Sequence, residues 1–167
     1  MIDKPSRIGR PALSLVSQPA PEQDRPIVTF CSHCGARSGE VQRTSRVCEG
    51  CGLGLLLHAQ ADVAPSSGDA FIVLDGSLAV CAVSATAEKL LATREIDAVN
   101  RHITQLIVPA DAEAQDRGNV AAAVIRAAMG DAEARTAIVR PAATFGVRLR
   151  ARIAHCGPPH AALVVFE

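Results

Sequence analysis

The chain has 167 residues, 49% of them hydrophobic, with 17 basic side chains against 17 acidic ones. That is enough apolar material for one ordinary domain or two small ones. Zero net charge excludes a strongly basic nucleic-acid footprint at whole-chain level, and four Phe with no Trp or Tyr argue against a function built on base stacking.

Residues 1–27 read as a disordered tail, because Pro5, Pro11, Pro19, Pro21 and Pro26 interrupt every short apolar run. No apolar h-region opens the chain, so no signal peptide is expected and the expected address is cytoplasmic. In that compartment thiols stay reduced, and paired cysteines read as metal ligands before disulfides.

Residues 28–58 hold two such pairs, Cys31-Ser32-His33-Cys34-Gly35 and Cys48-Glu49-Gly50-Cys51-Gly52. Two residues between ligands let one tight turn aim both sulfurs at a single ion. The glycine after each second cysteine lets the backbone enter positive φ and turn its N–H groups toward the sulfurs. Thirteen residues separate the pairs, enough for a short hairpin. Four thiolates suit tetrahedral zinc and leave no open position, so Cys31, Cys34, Cys48 and Cys51 are predicted to hold a structural Zn2+. Iron in the same four-sulfur geometry is the alternative ion. The segment is too small to fold on burial alone, and metal binding would supply on the order of 10 kcal/mol of folding free energy. His33 and His58 lie near a shell that is already full. The apolar run from Leu53 to Leu57 is far too short to cross a bilayer, so no membrane partner is expected.

On these CSHCG and CEGCG knuckles the segment resembles the zinc-ribbon family. That family implies nucleic-acid binding, protein docking or plain scaffolding. Arg37, Arg43 and Arg46 are opposed by Glu40 and Glu49, which reads as a solvated face more than a nucleic-acid surface.

Residues 59–68 read as a linker, and residues 69–167 as a globular domain of mixed pattern. Ala70 to Leu74, the Asp75-Gly76 turn and Leu78 to Val83 predict a hairpin. Ser84 is placed to cap a helix over Ala85 to Ala92. Ile103 to Val108 predicts a short helix or turn stopped by Pro109. Gly118 to Met129 predicts a longer helix with Val120, Val124 and Ile125 inward and Gly130 at its end. From Val147 to Ile153, apolar residues alternate with Arg148, Arg150 and Arg152, the mark of a half-buried antiparallel strand. The Gly157-Pro158-Pro159 turn precedes a closing strand, Ala161 to Phe166. Cys81 is expected as a small core residue, and Cys156, beside the turn, as an exposed one.

The run Phe71-Ile-Val-Leu-Asp75-Gly-Ser-Leu78, then Ser84-Ala-Thr-Ala-Glu88-Lys-Leu-Leu91, then Ile107-Val-Pro-Ala-Asp111 resembles the PAS sensor family, with Ser84 where that family usually has Asn. The resemblance implies an α+β fold, a five-stranded antiparallel sheet with helices on one face. It also implies a crevice that takes a small ligand or a surface that docks a protein partner or a second copy. The reactive-cysteine motif of flavin photosensors is missing, and His102 is the one histidine of the helical part that could serve a haem. The Arg148, Arg150 and Arg152 stripe is a candidate partner interface. No nucleophile–base pair, phosphate loop or open metal site stands in the sequence, so no enzyme is expected. The reading is a signalling or regulatory protein. The alternative is a transcription-associated factor whose ribbon contacts nucleic acid or the transcription machinery.

Overall fold

The computed structural model describes residues 25–38, 45–110 and 117–167. The expected tail therefore lies, up to residue 24, outside the described residues, as do Glu40, Arg43 and Asp111.

Two antiparallel sheets make up the molecule. The small one contains β1 (Ile27–Cys31), β2 (Arg37–Ser38) and β3 (Leu56–Gln60), in the order β2-β1-β3. Its register pairs Thr29 with Ser38 and Cys31 with Leu56, which sets the first cysteine knuckle at one end of the hairpin. Residues 59–68 do more than link. Ala59 and Gln60 close β3, and Val63 and Ala64 are buried.

The large sheet begins with β4 (Ala70–Leu74) and β5 (Val80–Val83). Between them the Asp75 carboxylate accepts hydrogen bonds from Ser77 N–H at 2.8 Å, Ser77 O–H at 2.7 Å and Ala79 N–H at 2.9 Å. These bonds bend the chain so tightly that Leu78 takes φ +68°, and the second strand starts two residues later than the expected Leu78. Ser84 then caps α1 (Ala85–Leu91), its hydroxyl accepting the Ala87 N–H. A second short helix, α2 (Glu95–Ala98), and a 3-10 turn (Ile103–Gln105) follow.

The stretch expected as one short helix or turn divides here. After the 3-10 turn, Ile107–Pro109 extends as β6 and pairs with β7 (Arg135–Pro141). Pro109 has no N–H to continue a helix, and it is tolerated on an edge strand. The sheet is completed by β8 (Leu149–Cys156) and β9 (Ala161–Phe166), in the order β5-β4-β9-β8-β7-β6. Five strands form the main sheet as expected, and the three-residue β6 adds an edge.

The helix α3 (Arg117–Ala128) lies across the sheet against β8 and β9. Ala123, Val124, Ala127 and Ala128 face the core, whereas Ile125, expected inward, is 37% exposed. Residues 120, 123, 124, 127 and 128 make the i, i+3, i+4, i+7 stripe, and 125 falls off it. Small alanines on that stripe let the helix sit close.

The sheet has two apolar faces. Ile72, Leu74, Ile153, Ala162 and Val164 meet the helices in the inner core. Phe71, Val73, Ala154, Cys156, Leu163 and Val165 meet Phe30, Leu57, Ala59 and Val63 of the hairpin region on the outer face. Burial on both faces explains why β9 reads Ala-Ala-Leu-Val-Val-Phe without alternation, like a strand of a covered sheet.

Candidate metal centre

The hairpin register brings the two knuckles together. The Cys31 and Cys51 sulfurs lie 3.6 Å apart, the Cys34 and Cys48 sulfurs 4.0 Å apart, and all four lie within 4.8 Å of one another. A disulfide would need about 2.05 Å. A tetrahedral ion about 2.3 Å from each sulfur sets edges of about 3.8 Å. The observed spacing fits an ion and excludes bonds between the sulfurs. All four cysteines are free, and together they can hold one metal ion.

Backbone N–H groups converge on the sulfurs. His33 N–H and Cys34 N–H approach the Cys31 sulfur at 3.4 and 3.5 Å. Gly35 takes φ +72° and Gly52 φ +69°, the left-handed geometry expected of each glycine after a knuckle. The thiols are pulled in opposite directions. Burial pushes Cys31 up to about 12 and also raises Cys34. The N–H groups of Gly54 and Leu53 bring Cys51 down to about 6. Four buried or half-buried sulfurs shed their protons together only when a cation shares the charge, so the donor set matches a divalent metal.

Gly54 is a functional residue that motif reading missed. A Cβ there would stand 2.7 Å from His33 N and would also strike the Cys31 sulfur. Close approach of the second knuckle to the first therefore requires a bare Cα. Spacing motifs count the glycines after each cysteine, whereas this constraint arises between knuckles and shows only in three dimensions.

The metal centre is joined to the sheet domain through its first knuckle. The His33 carbonyl accepts the N–H of Ala85 at the start of α1, at 2.9 Å. The His33 imidazole stands 3.5 Å from Glu95 of α2, and the other Glu95 oxygen accepts the Val83 N–H at 3.0 Å. Phe30 packs edge-on against Phe71, ring centroids 5.8 Å apart. Arg37, exposed as a solvated face requires, also donates to the carbonyls of Pro65 and Ala64 and so ties the hairpin to the segment that follows it.

Other expected residues lie elsewhere. Arg148, Arg150 and Arg152 stand on one face of the sheet, and it is the face the hairpin region covers. Arg152 donates to the Asp62 carbonyl at 2.9 Å, and Glu167 lies 3.3 Å from Arg152 and 3.5 Å from Arg150. His102 is exposed and caps the 3-10 turn. The two remaining cysteines exchange their expected places. Cys81 is exposed on β5, and Cys156 is fully buried, its thiol pushed up to about 12 by burial. The reasons differ: the β4–β5 register shifts between Ala82 and Val80, so Cys81 bulges out of β5, whereas the hairpin region covers β8 at Cys156.

No family model matches the chain, and no curated protein matches it. Two solved structures are similar to parts of it. One is the PAS domain of nitrogen regulation protein NR(II) from Vibrio parahaemolyticus, at 19% identity and TM-score 0.45, covering 60% of this chain and 88% of that one. The other is the PAS domain of an HTR-like protein from Haloarcula marismortui, at 17% identity and TM-score 0.41, covering 59% of this chain and 79% of that one. No helix among the described residues is long and apolar enough to cross a membrane.

Proposed function

We propose that this chain is a cytosolic regulatory protein in which a structural zinc site fastens a ribbon hairpin to a PAS-like domain that senses a small ligand or docks a partner. The observation that carries the reading is the joint itself. A four-sulfur shell with no vacancy for chemistry ends at the His33 carbonyl, which accepts the first N–H of α1. Zinc is the ion of choice because it takes four thiolates tetrahedrally without redox demands. The metal then acts as scaffold, and signalling belongs to the sheet domain. The reading assigns these residues no catalysis.

The inner crevice, where the resemblance implies a ligand, is packed with Ile72, Leu74, Val83, Leu91, Ile103 and Val124, each at most 3% exposed. That supports either protein docking or a ligand site elsewhere on the domain. Leu53, Leu55 and Ile96, exposed beside the second knuckle, support docking.

Native mass spectrometry of the purified chain tests the reading by reporting metal mass, retained ligand and chain number together. One zinc per chain, with a retained small molecule or a defined assembly, is the expected result. An apo monomer that is folded and metal-free would overturn it. Retention on DNA that falls steeply with salt would favour the transcription-associated alternative instead.

A further inference from the structure

An open cavity lies at the seam between the hairpin region and the large sheet. It has a volume of about 610 Å³, within the range of small-molecule sites. Its walls are mostly apolar, from Ile27, Val63, Ala132, Ala154 and the Pro158-Pro159 turn. The polar groups facing it are Arg25, Gln60, His58, His155 and His160, with no carboxylate among the lining side chains.

Two of the histidines are built into position. His155 Nδ1 lies 2.8 Å from the Ala127 carbonyl near the end of α3. A carbonyl only accepts, so Nδ1 carries the proton and Nε2 is the nitrogen left to a ligand, donating to an anion only when it too is protonated. His160 stacks at a tilt on His155, ring centroids 5.0 Å apart, and packs over Gly130. A Cβ at Gly130 would meet His160 Nδ1 at 3.6 Å, an ordinary contact distance, so the second imidazole lies directly beside the end of the helix. Arg25 bonds Gln60 at 3.2 Å and stands 3.8 Å from Asp62, an exposed arrangement that an anion in the cavity can compete with.

We infer that this seam cavity binds a small apolar molecule carrying one anionic group, with its body against Val63, Ala132 and Ala154 and its charge among Arg25, His155 and His160. The inference rests on the sensor reading for its purpose and on the cavity for its place. It moves the ligand from the packed inner crevice to the seam at the end of β8 beyond its pairing with β7. A ligand there touches β3, the β8–β9 turn and the segment after α3 at once, so its binding reports on how the hairpin region is seated.

The test uses the full metal-loaded chain and 1-anilinonaphthalene-8-sulfonate as the probe, followed by fluorescence. Octanoate and 1-octanol serve as competitors with the same apolar body and different heads. Saturable binding at one site per chain is expected, with octanoate displacing the probe at least tenfold more effectively than octanol. Ala132→Trp fills the cavity from an exposed wall position and should weaken probe binding at least tenfold. His160→Ala should abolish the preference for octanoate and keep the binding of octanol. Equal displacement by the two competitors, or unchanged binding to both variants, overturns the proposal. Should that happen while native mass spectrometry still finds a retained small molecule, the sensor reading stands and only the seam site falls.

Discussion

The hairpin region and the sheet domain have very different interiors. The hairpin offers Phe30, Leu57 and Ala59 to one side and turns Leu53 and Leu55 to solvent. The central strand β9 buries all six of its residues between two layers. A strand covered on both faces draws its stability from apolar area removed from water, about 25 cal/mol per Å². A three-stranded hairpin with a two-residue edge strand cannot gather that area, and a metal ion held by its four cysteines would close it. The sheet in turn depends on the hairpin, because Phe71, Val73, Leu163 and Val165 would face water without it. The difference teaches that the hairpin is a lid over one face of a sheet, and that a metal ion among its four cysteines would stabilise that lid.

The largest test of that contrast removes the metal. Cys48→Ser, or a strong chelator, should withdraw on the order of 10 kcal/mol of metal-linked folding free energy from the hairpin. Dichroism should then show residual sheet and helix with exposed apolar surface, and a colorimetric zinc assay should show the ion released. An unchanged melting curve would break the comparison. Next, Phe71→Ala should cost about 3–5 kcal/mol by denaturant titration, because it opens a cavity in the core the two regions share. It should also loosen the metal, read as faster zinc transfer to a chelator, since Phe30 loses its ring partner. Val124→Ala, a truncation in the inner core, should lower stability and leave the transfer rate as it was.

Smaller effects sharpen the same contrast. Gly54→Ala should cost about 1–3 kcal/mol as overpacking between the knuckles, visible as weaker zinc retention. Ser84→Ala should cost about 1–2 kcal/mol, because its hydroxyl caps α1, accepts the Phe71 N–H and donates to the Asp69 carbonyl. Its effect should fall on the sheet domain and leave zinc retention intact.

The smallest effect is the pH dependence at Asp75. The Ser77 hydroxyl first, then the Ala79 and Ser77 N–H groups, hold its carboxyl below the ordinary value. A depressed carboxyl stabilises the fold above its unfolded value, about 3.9, and loses that contribution as pH falls through the folded one. Asp75→Asn should therefore lower the unfolding free energy from urea titration at pH 7 by about 0.5–1.5 kcal/mol, and the gap between the two proteins should close as the pH falls through the folded value.

Local chemistry was legible in the chain. The CxxCG spacing announced four sulfurs around one ion, because two intervening residues and a glycine make one kind of turn. Asp75-Gly76 announced its hairpin and Ser84 its helix. Alternation at Arg148, Arg150 and Arg152 announced a strand with one apolar face.

What failed depended on a partner from elsewhere in the sequence. Cys81 and Cys156 both sit in apolar strands, and only a bulge in β5 and the seat of the hairpin region on β8 make the first exposed and the second buried. Ile125 looks as apolar as Val124, and only the angle of α3 on the sheet turns it outward. Residues 59–68 look like a linker because Pro, Ser and Gly dominate their end, yet Val63 and Ala64 are core. The knuckles themselves needed nothing beyond thirty residues of sequence, since turns and metal coordination are short-range. Their attachment through His33, Phe30 and Gly54 was decided by tertiary structure, because a face is covered only by what the whole fold brings against it.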